Sequence, residues 1–490
     1  MVSAYPEAMH KLANNWSAEQ LYQALASRDP RFDGRFYVGV SSTGIYCRPI
    51  CRVRLPKLKN CSFFATAAQA EAAEFRPCLR CRPEQAPGWS TADAVDTLAE
   101  QAARLIDQGH AGNLTELAGR LGTSERHLRR LFKHRFGVTP GQYLRTHRLL
   151  MAKALLTDTR LPVLQVAELA GFGSASRFHH QFQTHYRLSP ARLRRQVIRG
   201  QSDDSVFRFR LSARPPFDWD GLLDYFSGRA LDGVERVIDN SYCRAVALPD
   251  ASGGLHEGWV QVRPLPSGSG IELTLSDSLA QVIPQCLTRV RAMFDLDADP
   301  EQINQSLAGL ASDRPGLRIP GVWDGFELAC RAVLGQLVSV RVATTLAGRV
   351  AELSDHAVAT PWPEVYRRFP LAEEFLDHDG EALGKSGISR RSAAALATVA
   401  QAIVDNTLDL SPGIDPHAVR DKLVAIHGIG DWTFQYIALR ALRWPDAFPA
   451  GDLGIRKALG MVKPAEVKRI AERWRPWRGY AVFHLWRSLA

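Results

Sequence analysis

The stretch L-V-A-I-H-G-I-G-D-W-T-F-Q-Y-I-A-L-R-A-L, residues 423–442, reads as helix, tight turn, helix. Gly428 and Gly430 permit positive φ and close backbone approach. The second helix then aims its first amide N–H groups at whatever lies above the turn, and a phosphate suits that position. H-G-I-G alone also describes an ordinary turn between two helices. Five residues on comes A-F-P-A-G-D-L-G-I-R-K, residues 447–457, with Asp452 between two glycines. Trp432 and Tyr436 stand four apart, a spacing at which aromatic pairs usually pack into a core.

Outward from this hairpin, the helical pattern reaches back to about residue 286. Residues 206–285 alternate like strands: F-R-F-R-L, then W-V-Q-V-R and I-E-L-T-L joined around P-S-G-S-G, a hairpin. A polar stretch, Gly200–Ser205, separates them from a run of helices over 90–196, and Pro83, Pro87 and Gly88 mark an earlier linker. A chain of 490 residues should hold several domains. Its hydrophobic fraction of 46% is enough for full cores. No stretch is apolar enough to span a membrane, and the N-terminus lacks the apolar core of a signal peptide. The net charge of +10 suits a polyanion, nucleic acid first.

Cys47, Cys51, Cys78 and Cys81 stand in I-Y-C-R-P-I-C and R-P-C-L-R-C-R. Two close pairs with a loop-sized insert is the spacing of a tetrahedral zinc site, which would hold one Zn²⁺ through four thiolates. Spacing alone favours a structural zinc knuckle. A thiolate is nonetheless a nucleophile, and Arg48, Arg52, Arg54, Arg76, Arg80 and Arg82 crowd the pairs. Cys61, Cys243, Cys286 and Cys330 show no paired spacing and read as buried apolar thiols. The segment before Cys47 alternates like a strand pair turned at Ser42–Gly44, and Ala65–Glu74 reads as a helix.

Two segments have a helix-turn-helix rhythm. In the first, Leu114, Leu117, Ala118 and Leu121 line one face, Gly122 turns, Ser124 caps and Leu128, Leu131 and Phe132 bury. Arg126, Arg129, Arg130 and Lys133 are left outward. In the second, Gly171 turns, Ser174 caps and Phe178 and Phe182 bury, leaving Ser176, Arg177 and His180 for a groove. A helical bundle with basic solvent faces would also fit either segment taken singly.

G-F-G-S-A-S-R-F-H-H-Q-F and S-P-A-R-L-R make residues 90–196 resemble the DNA-binding domain of AraC-type regulators. Beside it, F-Y-V-G-V-S-S-T-G-I-Y-C-R-P-I-C and F-R-P-C-L-R-C resemble the Ada-type adaptive-response proteins. That resemblance implies irreversible transfer of a methyl group from a DNA phosphotriester to a zinc-bound cysteine. The acceptor carries over to Cys47, with Cys51, Cys78 and Cys81 as the remaining ligands. Four thiolates on Zn²⁺ carry net −2, and methylating one leaves −1, so repulsion of phosphate falls and DNA binding should strengthen. The P-C-H-R motif of a second methyltransferase domain is absent, and no alkylguanine repair is expected.

From about residue 206 to the end the chain resembles AlkA-type 3-methyladenine glycosylases of the helix-hairpin-helix superfamily. Further marks are R-P-P-F-D-W, R-P-G-L-R-I-P-G, L-G-Q-L-V-S-V and W-R-P-W-R-G-Y-A-V-F-H-L-W. The resemblance implies base flipping and makes Asp452 the carboxylate that faces the developing sugar cation. Trp432, Tyr436, Trp486 and Tyr225 become the aromatic pocket, suited to cationic alkylated purines, and Leu337 the plug for the vacated stack. Gly428 and Gly430 hold a DNA phosphate. Trp432 stands where lyase-competent relatives carry lysine, so hydrolysis without a Schiff base is expected. Asp431, where a basic residue is usual, and Leu453, where a tyrosine is, depart from the pattern.

The fold expected is multidomain and mostly α. It comprises a small α/β zinc domain (1–88), an AraC-type double helix-turn-helix domain (89–198), and a glycosylase module with an α/β lobe (199–296) and an all-α helix-hairpin-helix lobe (297–490). Expected partners are double-stranded DNA, both alkylated lesions and a promoter operator, and RNA polymerase. The chain is expected to be a monomer, in the bacterial cytoplasm at the nucleoid. The rival expectation is a non-enzymatic regulator with a structural zinc site and a decayed glycosylase fold.

Overall fold

The computed structural model describes residues 16–88, 98–107, 112–197, 205–250, 252–353, 356–378 and 380–489. They fall into two compact units, one from Met1–Pro215 with Ala280–Gln285 and one from Pro216–Leu279 with Cys286–Ala490. Most of the polar stretch Gly200–Ser205 and the start of the helical run at 90–97 lie outside the described residues.

In the first unit a four-stranded sheet has the order Cys61–Phe64, Tyr37–Val40, Ile45–Cys47, Arg76–Pro77. The central pair is antiparallel, with Val38 opposite Cys47. It is turned as the sequence predicts: the Thr43 and Gly44 amides donate to Val40 O, and Gly44 takes φ +64°. Thr66 caps a short helix, Ala67–Ala72, inside the expected span. The helix-turn-helix elements follow. Asn113 and Ser124 cap Leu114–Arg120 and Glu125–Phe136, and Thr139 caps the long helix Pro140–Asp158. Val163–Leu169 and the Ser174-capped Ala175–Tyr186 form the second motif. Gly122 and Gly171 turn at φ +61° and +78°.

The segment after Cys81 is not the open linker that Pro83 and Pro87 suggest. Pro83–Gln85 forms a 3₁₀ turn with Pro83 buried. Glu84, from this turn, is ion-paired with Lys153, which is 1% exposed and also donates to Cys78 O at 3.3 Å. Arg82 forks onto Asp158 at 2.5–2.6 Å. Farther along the same seam, buried Glu71 accepts from Tyr46 at 3.2 Å and from Thr146 at 2.6 Å. Charges so buried persist because each has a counter-charge or donor.

In the second unit the strands Glu235–Ile238, Ser241–Pro249, Leu255–Pro264 and Gly270–Ser276 make an antiparallel meander. Helices make up most of the rest. A buried four-charge cluster ties the strands to the helix Gly325–Leu334: Arg244 and Arg331 each pair with both Glu235 and Glu327. Among the described residues no helix is long and apolar enough to cross a membrane. Cys243, Cys286 and Cys330 are buried as expected, whereas Cys61 is half-exposed on the sheet's edge strand.

Candidate functional sites

Strand pairing assembles the cysteine cluster. Ile45–Cys47 lies parallel to Arg76–Pro77, and the Cys78 amide donates to Tyr46 O at 3.0 Å, which brings Cys47 beside Cys78. A tight turn, Cys51 N to Arg48 O at 3.1 Å, folds the second cysteine back. All four sulfurs lie within 4.8 Å of one another. Tetrahedral zinc, with bonds of about 2.3 Å, needs sulfurs about 3.8 Å apart, so the donor set fits one zinc ion.

Two of the arginines that crowd the pairs are engaged within the protein. Arg48 is buried, pairs with Asp33 and donates to Cys81 O at 3.0 Å, so it is not free to grip DNA. Arg82 is taken by Asp158 and Glu84. Arg52, Arg54 and Arg80 remain exposed, and Arg76 is half-buried. The sulfurs also differ from one another. The Arg48 amide donates to Cys81 Sγ at 3.3 Å, the Arg80 amide to Cys78 Sγ at 3.4 Å, and the Val53 amide bonds Cys51. Cys47 has no such donor among the described residues.

The helix-turn-helix faces match the expected split. Leu117, Ala118, Leu128 and Phe132 are buried with Leu114, Leu121 and Leu131 packed against them, and Phe178 and Phe182 are buried in the second motif. Arg126, Arg129, Arg130 and Lys133 are exposed, as are Ser176, Arg177 and His180. Arg129 leans on Glu125 at 3.2 Å, one turn back.

In the second unit the hairpin joins Pro416–Val424 to Asp431–Arg440. Gly428 uses the left-handed region, φ +99°, but Gly430 does not: at φ −101°, ψ 180° it is an extended N-cap. It offers no side chain to the first amides, which stay open for an acceptor. Gln336 braces the turn, its Nε2 donating to Gly428 O at 2.9 Å and Thr433 Oγ1 at 2.8 Å. Asp431 is exposed, with Arg420 3.8 Å away. Leu337, next to the brace, is fully exposed with φ +58°.

Asp452 caps the helix Leu453–Ala458 through the Ile455 amide at 2.9 Å. Its Oδ2 accepts from Trp432 Nε1 and its Oδ1 from Trp486 Nε1, both at 2.9 Å. Trp432 stacks on Tyr436 at 5.4 Å and 11°, and Trp486 tilts to Tyr436 at 6.3 Å. All four are half-buried, so the i,i+4 aromatic pair keeps part of its surface open and is not wholly core. Tyr225 meets Tyr436 hydroxyl to hydroxyl at 3.3 Å. Sequence reasoning missed Arg440, which donates to Tyr436 Oη at 2.8 Å, and Arg229, whose guanidinium lies 3.9 Å over the Tyr225 ring. Burial raises the Tyr436 hydroxyl, but Arg440 and Arg229 outweigh it and hold it below the usual tyrosine range. Burial, with Tyr436 adding to it, pushes Tyr225 up to about 12. Leu453, next to Asp452 in the chain, is exposed.

Comparison with known proteins follows the same division. Residues 20–84 match the metal-binding domain of Ada, 117–196 a helix-turn-helix domain, and 208–324 the AlkA N-terminal domain. The "probable bifunctional transcriptional activator/DNA repair enzyme AlkA" of Mycobacterium tuberculosis is 36% identical over 489 residues, covering 96% of each chain. DNA-3-methyladenine glycosylase 2 of Escherichia coli is 37% identical over 278 residues, 57% of this chain and 96% of its own. The bifunctional transcriptional activator/DNA repair enzyme Ada of the same organism is 36% identical over 171 residues, 35% of this chain and 47% of its own.

The chain belongs to the family of bifunctional transcriptional activator/DNA repair enzymes of the AlkA kind. Its zinc module and regulator resemble the Ada relative, and its second unit resembles the glycosylase.

Proposed function

We propose that the second unit hydrolyses the glycosidic bond of alkylated bases of the 3-methyladenine type in double-stranded DNA. The observation that carries this is Asp452 held between two indole N–H groups among half-buried aromatic rings. Trp432, Tyr436, Trp486 and Tyr225 receive the flipped base by stacking, and Leu337 fills the vacated stack. As the base leaves, the fixed carboxylate faces the developing sugar cation without reorganising, and it orients the attacking water. The open amides after Gly430, with Gly428 shaping the turn, take a phosphate of the same strand. No lysine stands at Trp432, so the product is an intact abasic site. Release of 3-methyladenine from methylated duplex DNA, measured with and without Asp452→Asn, tests this reading.

The first unit, on the same proposal, takes a methyl group from a DNA phosphotriester onto Cys47. Zinc, when bound, keeps the four sulfurs as thiolates. Among the described residues Cys47 lacks the amide donor that its three fellow ligands have, which leaves its lone pairs the most available. The two helix-turn-helix faces, through Arg126, Arg129, Arg130, Lys133, Ser176 and Arg177, read a promoter operator. RNA polymerase is then a further partner, and the chain acts as a monomer in the cytoplasm at the nucleoid.

A further inference from the structure

A cleft reaches the cysteine cluster. Cys47 and Cys51 line it, and Cys78 and Cys81 do not. Its walls are apolar: Leu25 from the helix Ala18–Ser27, Val38 and Val40 from the adjacent strand, and Val53 beyond the second ligand. It is narrow: the space inside it open to a water-sized group is about 20 Å³. Arg28 stands at the mouth. It ends the helix in the left-handed region, φ 52°, and its exposed guanidinium reaches across to Val53 O at 3.4 Å.

We propose that this cleft receives the alkyl group of the phosphotriester, that Arg28 grips the phosphate at its mouth, and that alkyl groups longer than methyl are accepted. The inference rests on the methyl-transfer reading above. It deepens that reading by naming the substrate class as alkyl phosphotriesters and Arg28 as a binding residue. In the step itself the Cys47 thiolate attacks the alkyl carbon. The sulfur–carbon bond forms as the carbon–oxygen bond breaks, and the electron pair leaves on the phosphate oxygen. The triester becomes a phosphodiester monoanion, the thiolate a thioether, and no proton moves. The new negative charge appears at phosphate, where a guanidinium stabilises it. A methyl group alone does not require an apolar slot; each added methylene that enters one leaves water. Cys47 and Cys51 are the sulfurs an electrophile in the cleft meets, and only Cys51 of these two carries an amide donor.

The test uses full-length, zinc-loaded protein and duplexes carrying one methyl or one ethyl phosphotriester, with single-turnover transfer followed by peptide mass mapping. Both alkyl groups are expected on Cys47. Val53→Phe, at a half-buried wall position, should lower the ethyl-to-methyl rate ratio tenfold or more. Arg28→Ala should slow both transfers by similar factors, at least tenfold, with zinc content unchanged. Methyl transfer without ethyl transfer overturns the slot and leaves the methyl-transfer reading standing. Failure of both sinks that reading itself. An unchanged ratio in Val53→Phe, or in Leu25→Phe if the first variant loses zinc, removes the cleft from the reaction, and normal rates in Arg28→Ala remove the clamp.

Discussion

Trp432 and Asp452, twenty residues apart, meet through an indole N–H that donates to Oδ2 at 2.9 Å. Trp486 does the same to Oδ1, so both carboxylate oxygens are committed to acceptor roles. An amide at this position has only one acceptor oxygen, and its NH₂ would face an indole N–H. Asp452→Asn therefore removes charge and also breaks one leg of the cradle. Base release should fall by about 3 kcal/mol or more in the transition state, on the order of a hundredfold. Binding to lesion DNA should change far less. Borohydride should trap no adduct with the wild type. Near-normal release by Asp452→Asn in a single-turnover assay would place the essential carboxylate elsewhere.

Leu337 touches solvent on all sides, so Leu337→Ala should cost within about 0.5 kcal/mol of stability. Base release should still drop, because a smaller side chain leaves the vacated stack unfilled. Thermal unfolding and excision rate measured on the same variant separate the two effects. A parallel loss of both would mean the residue is structural.

Glu71 gives the first unit a pH dependence of known sign. Burial pushes its carboxyl up to about 7, against weaker hydrogen bonds from Thr146 and Tyr46. The folded chain then holds this proton more tightly than the unfolded chain does. Stability falls as pH rises from about 4.5 to 7 and stays lowered above that. Glu71→Gln keeps partners for both hydroxyls and should stabilise the unit by about 2–3 kcal/mol at pH 8, with little gain at pH 4. Urea unfolding at the two pH values checks this. A gain independent of pH would contradict it.

Zinc removal should loosen more than the cysteine loops. Lys153 of the long helix donates to Cys78 O, so a collapsing cluster withdraws one of its partners. Chelation should lower hydrogen-exchange protection in residues 16–88 and in Pro140–Asp158, and leave Gly325–Leu334 protected. Metal analysis should give one zinc per chain before treatment, and protein free of zinc in its reduced, native state would refute the site.

Lys133→Ala and Arg126→Ala should each weaken operator binding and reduce the salt slope by about 0.9, the loss of one phosphate contact. Both are clean tests, because no ion pair to either appears among the described residues. Binding isotherms across a salt series give the slopes, and unchanged slopes would put the operator on another face.

The sequence made legible what is local. Cap residues, glycine turns and cysteine spacing act over a few positions, and Ser124, Ser174, Gly122 and Gly428 stand as they read. Long-range pairing was not legible. Arg48 looks like a DNA contact until Asp33, from an earlier loop, claims it, and Arg82 until Asp158 does. Gln336 gives no sign in L-G-Q-L-V-S-V that it will brace a turn some ninety residues away. Gly430 reads as a positive-φ glycine, yet what the fold uses is its lack of a side chain over open amides. Arg440 stands one helical turn from Tyr436 and was open to being read, but Arg229 follows the helix Trp219–Ser227 and acts on Tyr436 only once that segment meets Asp431–Arg440. Arg28 is one arginine among many until the backbone at its own position turns left-handed.

The seam around Lys153 bears on how such a protein can be cut and recombined. A break at Gly88 would carry away both Glu84 and the Cys78 carbonyl and leave Lys153 on the long helix without either partner. Where a foreign sensor covers that lysine without supplying a carboxylate, the unpaired buried charge costs several kcal/mol, comparable to the whole stability of a small domain. The joint is a weld and not a hinge. Sensor and reader must therefore be inherited, transplanted or expressed as one piece, and a chimera that exchanges either alone inherits a buried charge with nothing to answer it.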